Sequence, residues 1–101
     1  MNSLDKEDLI SLLQQNREKL KEFHIKQIGL FGSFSKGKQT EESDIDLLVE
    51  FQEGKKTYNN FIELLFFLEK IFQKKVDLLT IEALSSYMRS KIMKKAHFES
   101  I

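Results

Sequence analysis

The chain has 101 residues, 41% of them hydrophobic and nine of them Phe, with 16 basic and 16 acidic side chains and no net charge at pH 7. That much apolar content excludes a disordered chain, one small domain spanning 1–101 is expected, and the balanced charge argues against direct nucleic-acid binding through bulk positive charge. There is no Cys, hence no disulfide framework and no thiolate metal site. The charged start, MNSLDKEDLI, is unlike a signal peptide, and no apolar run approaches the ~20 residues of a membrane span. A soluble, cytoplasmic protein without membrane association is expected.

Residues 4–22 carry Leu9, Leu12, Leu13 and Leu20, followed by Phe23, at helical spacing with Lys and Glu between them. This predicts an amphipathic helix capped by Ser3 or Asp5. The segment 25–31, IKQIGLF, reads as a strand entering a turn at Gly32. Residues 33–43 mix Ser, Gly, Lys, Thr and Glu without periodicity and predict a loop, with one helical turn starting at Ser33. A second strand is predicted over 44–51, DIDLLVEF; its run Leu47-Leu48-Val49 does not alternate, so both faces should be covered. Gly54-Lys55-Lys56 is a surface loop.

Residues 58–73 predict the most hydrophobic helix. Phe61, Leu64, Leu65, Leu68 and Phe72 make its core stripe, while Ile62, Phe66 and Phe67 fall outside it: either the helix is sandwiched or part of it is exposed for a partner, the second being favoured because a small domain seldom sandwiches a helix completely. KVDLLT, 75–80, predicts a third strand. A helical turn at 81–84 leads to a last helix over about 86–97, capped by Ser85 or Ser86. Met88, Ile92, Met93 and Ala96 should face inward there, with Lys91, Lys94 and Lys95 outward. His24 ends the first helix and His97 lies near the tail of the last. Neither has a Ser or Asp companion at a recognisable spacing, so no nucleophilic triad is present. Tyr58 reads as a helix-start residue and Tyr87 as a packing residue.

Three aspartates stand where strands seldom place them. Residues i and i+2 of a strand point to one face, about 6.6–6.8 Å apart, so Asp44 and Asp46 aim together. Two adjacent carboxylates repel, and a hard divalent cation removes the conflict; a chance D-x-D in an acidic segment is the plainer alternative. Asp77 lies among Val76, Leu78 and Leu79, and a neighbouring strand would bring it within about 4.8 Å of the pair; its alternative is a surface ion pair with Lys75. Gly32-Ser33 is the phosphate candidate, because Gly permits close backbone approach and a helical turn at Ser33 would present free N–H groups. A plain strand-to-loop turn is the other reading. Lys36 and Lys38 could reach phosphates or be solvated.

Together, LFGSFSKG and SDIDLLVEF resemble the G-S-x(n)-D-x-D signature of the DNA polymerase β-like nucleotidyltransferase superfamily. The length and the later KKVDLLT make the chain similar to the minimal nucleotidyltransferase (MNT) group, MntA-type antitoxins included, over residues 25–97. The resemblance implies an α/β (α+β) fold, a small mixed β-sheet flanked by helices. It implies that Gly32 and Ser33 bind the nucleoside triphosphate, that Asp44 and Asp46 ligate two Mg²⁺ ions, and that Asp77 is the third acid, sharing a metal and helping the attacking hydroxyl lose its proton. Lys36 stands where such proteins commonly carry Arg, and it would keep the charge on the phosphate without the bidentate grip. The implied activity is transfer of AMP from ATP to a tyrosine of a HEPN-family toxin, in a hetero-oligomer. A non-catalytic antitoxin acting by contact, and transfer to a small molecule or an RNA end, are the alternatives.

Overall fold

The computed structural model describes residues 4–32 and 44–101. Asp5 opens the first helix, α1 (Lys6–Gln15), with a capping box: its carboxylate accepts from the Asp8 N–H at 2.9 Å, and the Asp8 carboxylate accepts from the Asp5 N–H at 3.1 Å. The helix predicted to run to 22 breaks at Asn16, whose side-chain amide donates to the Leu12 carbonyl at 2.8 Å. Such a side chain offers the backbone an alternative to continuing the helix. A short α2 (Arg17–Lys21) follows, and His24, at φ 61°, turns the chain into the sheet.

Four strands form one mixed sheet: β1 (Ile25–Phe31), β2 (Ile45–Phe51), β3 (Val76–Thr80) and β4 (His97–Ser100), in the order β3-β2-β1-β4. β2 runs parallel to β3, and β1 is antiparallel to both β2 and β4. A bulge between Ile25 and Gln27 shifts the register by one residue. It lets Ile25 and Ile28, three positions apart, bury on the same face. That face also carries Leu30, Ile45, Leu47, Val49, Val76 and Leu78, packed against Leu9, Leu13 and Leu20 and against α3 (Tyr58–Phe72).

The other face is covered thinly. Leu48 is buried there under Ile81 and Leu84, with Phe31, Leu79, Ile92 and Phe98 around it. The central strand is therefore covered on both sides at Leu47-Leu48-Val49, as its unbroken apolar run requires. In α3, Leu64, Leu68 and Phe72 are buried, and Phe61 and Leu65 pack on the same core. Of the residues expected outside that stripe, Phe67 instead meets Phe23 at a ring separation of 5.3 Å. Ile62 is half-buried, and Phe66 stays 63% exposed.

The C-terminal segment departs most from expectation. α4 (Ser86–Lys95) is capped by Ser85, as predicted, but stops before 97 and buries no residue. Met88 and Met93, expected inward, are 48% and 37% exposed, and Tyr87 is 70% exposed. His97–Ser100 then forms β4, where a helix tail was expected for His97. Four residues are too short for a readable period, yet their setting is specific. A Cβ on Gly29 would lie 2.5 Å from the Phe98 ring, so only Gly admits that ring. Arg17 Nη2 donates to the Ser100 carbonyl at 2.6 Å, and Gln14 Nε2 donates to Glu99 Oε1 at 3.2 Å. Among the described residues, no helix is long and apolar enough to cross a membrane.

Candidate active site

The parallel pairing of β2 with β3 aligns Asp46 directly with Asp77. Each is the second residue of its strand, and each points to the thinly covered face of the sheet. On the other side of Asp46, β1 places Phe31 opposite it. A row Phe31–Asp46–Asp77 thus crosses three strands at one end of the sheet. Asp44 precedes β2 by one residue and is exposed, and Asp77 is also exposed, while Asp46 is half-buried.

Local backbone bonds hold this end in register. The Ile45 N–H donates to the Lys75 carbonyl at 3.0 Å. The Val76 N–H donates to Glu69 Oε2 at 3.1 Å, tying the start of β3 to α3. Val76 is 5% exposed, and an unpartnered N–H at a buried position is costly. Glu69 and Phe31 were not singled out from the sequence. A charged side chain between Leu68 and Ile71 was the available signal for Glu69.

Gly32 follows β1 in a left-handed conformation, φ 78°. A Cβ at this position would lie within 2.1 Å of Asp46 Oδ2. The carboxylate therefore occupies the space above the glycine, a contact the sequence reading, which kept that space for phosphate, did not anticipate. Ser33 and Lys36 lie outside the described residues.

Burial pushes the Asp46 carboxyl above its ordinary value, and the Asp77 and then the Asp44 carboxylates push it the same way. Among the described residues, no Lys or Arg forms an ion pair with any of the three acids; the ion pair of Asp77 with Lys75 is thus not formed. Also among the described residues, no three carboxylates or imidazoles close together into a cage that could hold a metal ion alone. The arrangement is an open, acidic sheet end with one destabilised carboxylate. It suits a divalent cation that takes one or two carboxylates and draws its remaining oxygens from a phosphate-bearing substrate.

Comparison with known proteins bears on the family and the fold. Residues 10–98 match the nucleotidyltransferase domain family. A candidate protein adenylyltransferase of Methanocaldococcus jannaschii is 40% identical over 88 residues, spanning 84% of this chain and 88% of that one. The protein adenylyltransferase MntA of Thermococcus cleftensis is 40% identical over 50 residues, 48% of this chain and 50% of its own. A solved structure of a candidate minimal nucleotidyltransferase superposes with a TM-score of 0.83 at 27% identity, covering 96% of this chain and 98% of that one. A crystal structure of a toxin–antitoxin with AMP-PNP superposes with a TM-score of 0.65 at 26% identity, covering 94% of this chain and 72% of the matched chain.

Proposed function

Because the chain belongs to the nucleotidyltransferase domain family and has the minimal form of that fold, we propose that it transfers AMP from ATP to a tyrosine hydroxyl of a partner protein, and that the partner is a HEPN-family toxin which the modification silences. The names of its relatives, protein adenylyltransferases, support the acceptor class. The toxin–antitoxin structure that it resembles supports a toxin as the partner. The whole chain acts as one domain in the cytoplasm, in a hetero-oligomer with that partner.

The alignment of Asp46 with Asp77 beside Gly32 carries this proposal. Asp44 and Asp46 would ligate Mg²⁺, with Asp77 beside Asp46 on the neighbouring strand and within the field of the ion. The half-buried Asp46 with its raised pKa fits that role, since a cation offsets the repulsion among the three acids. When bound, Mg²⁺ supplies neutralisation of charge on the α-phosphate and on the pyrophosphate leaving group.

The residues of the chain do the rest. Gly32, without a Cβ, leaves the room in which the Asp46 carboxylate stands and turns the chain toward the triphosphate, to which Ser33 and Lys36 add a hydroxyl and a positive charge. The acceptor tyrosine oxygen attacks the α-phosphorus, the bond to the β-phosphate oxygen breaks, and pyrophosphate leaves. Asp77 accepts the phenolic proton. A new phosphodiester joins the tyrosine to AMP, so atoms and charge balance.

The test is intact mass spectrometry of a HEPN-family partner after incubation with the chain, ATP and Mg²⁺. The partner should gain the mass of one or more AMP groups, and Asp44→Ala/Asp46→Ala should abolish the gain. An unmodified partner, or modification that survives the double substitution, refutes the enzyme. A double variant that still protects cells from the toxin would put neutralisation by contact in its place.

A further inference from the structure

α4 is a helix that the fold does not use for its core. Its sequence, SYMRSKIMKK, has Arg89, Lys91, Lys94 and Lys95, no acidic residue and no buried residue. It leans on the sheet through Ile92. Tyr87, Lys91 and Lys94 recur at i, i+4 and i+7 and form one outward stripe. Lys91 Nζ lies 4.9 Å above the Tyr87 ring, which holds the two side chains as a unit. Met88 and Met93 stand exposed on its flanks. In a chain with no net charge, this is a concentrated positive surface.

Its location bears on the active site. α4 hands the chain to β4, where His97 pairs with Leu30. The next residue of β1, Phe31, pairs with Asp46. The end of α4 thus lies on the same side of the molecule as Asp46, and β4 and β2 are separated by two strand spacings, about 10 Å.

We propose that this face of α4 docks an acidic segment of the acceptor protein, so that its tyrosine is delivered to the sheet end at Asp46 and Asp77. Carboxylates of the segment pair with Lys91 and Lys94, and its apolar side chains lie on Tyr87 and on the flanking Met88 and Met93. Charge complementarity of this kind sets orientation and encounter rate, and exposed Met adapts to varied partners. A polypeptide fits better than a nucleic acid because the basic residues are interleaved with Met and Tyr, which protein interfaces favour. That the segment belongs to the acceptor rests on the transferase function proposed above; the docking itself does not.

The test needs no catalysis. Fluorescence anisotropy of the full chain is measured with a labelled glutamate-rich peptide carrying one tyrosine and two leucines, with its glutamine counterpart, and with a single-stranded RNA of similar length. The acidic peptide should bind, should weaken as salt rises, and should exceed the glutamine peptide by about tenfold. Lys91→Glu/Lys94→Glu should weaken it by about tenfold, and Lys91→Gln/Lys94→Gln by less, with unchanged circular dichroism. Equal binding of the glutamine peptide, tighter binding of the RNA, or unaltered affinity in the charge-reversed variant overturns the proposal. Asp46→Asn, which should stop transfer, should leave peptide affinity unchanged, so loss of transfer and loss of docking are separable. In the transfer assay the lysine variants should raise KM for the peptide but not for ATP; a rise in KM for ATP alone assigns the lysines to the nucleotide and overturns docking.

Discussion

The Asp46 carboxylate stands where a side chain at position 32 would have to be, with Oδ2 only 2.1 Å from the place of a Gly32 Cβ. The glycine serves two needs at once. It takes the left-handed turn at φ 78° that ends β1, and it leaves the volume in which Asp46 sits. Any substitution must strain the turn and displace the acid.

Gly32→Ala should therefore lower stability by about 1–2 kcal/mol from the left-handed backbone alone, and transfer activity far more than that. Urea denaturation and steady-state transfer kinetics check this. Activity close to wild type in a folded Gly32→Ala variant would show that the Asp46 position is not fixed by the turn.

Burial and the two acidic neighbours raise the Asp46 pKa above its ordinary 3.8. The folded chain then binds this proton more tightly than the unfolded chain, so stability should fall as pH rises from that ordinary value through the folded value. Asp46→Asn should remove this descending limb and leave the metal-free protein at least as stable at pH 7, while abolishing transfer. Excess Mg²⁺ should restore stability to wild type and not to the variant. Glu99 has the opposite sign. Its pKa is lowered, chiefly by the hydrogen bond with His97, so its contribution is complete above the unfolded value and is lost as pH falls through the folded one. Thermal melts of wild type, Asp46→Asn and Glu99→Gln across pH, in chelator, separate the two limbs.

The sequence makes the site more legible than the second face of the fold. Asp44, Asp46 and Asp77 stand out because carboxylates interrupt apolar strands, and β2 with β3 brings the last two side by side. The bare spacing could not say that Asp44 lies ahead of the strand and exposed. Asn16 looked like one more polar residue on a helix, since the pattern around it keeps its period through the break. α4 misleads for a different reason. Met88, Ile92 and Met93 have helical spacing suited to a core, but only Ile92 has a partner surface, because β3 is short and the second face small. β4 is hidden since its partner is a gap at Gly29, and a gap leaves no hydrophobic period.

That gap gives a packing prediction. A Cβ on Gly29 would meet three atoms of the Phe98 ring at 2.5–2.8 Å. Gly29→Ala should destabilise by about 1–3 kcal/mol through overpacking. Trimming the ring should relieve the clash, so Gly29→Ala/Phe98→Leu should lose less than the sum of the single substitutions. Strict additivity in urea denaturation would mean that Phe98 does not lie over Gly29.

Glu69 links α3 to the acidic row through the backbone of β3. Its carboxylate accepts from the Val76 N–H at 3.1 Å, and the residue after Val76 is Asp77. Glu69→Ala leaves that buried N–H unpartnered, which should cost about 1–3 kcal/mol and loosen β3 where it must present Asp77. Glu69→Gln keeps an accepting oxygen and should recover most of both losses. A merely structural role would lower stability and leave the kinetics of the folded fraction unchanged. A positioning role should lower kcat in the folded Ala variant, with KM for ATP nearly constant, and Gln should restore it. If Gln fails to restore kcat while restoring stability, the charge of Glu69 rather than its hydrogen bond governs the Asp77 position.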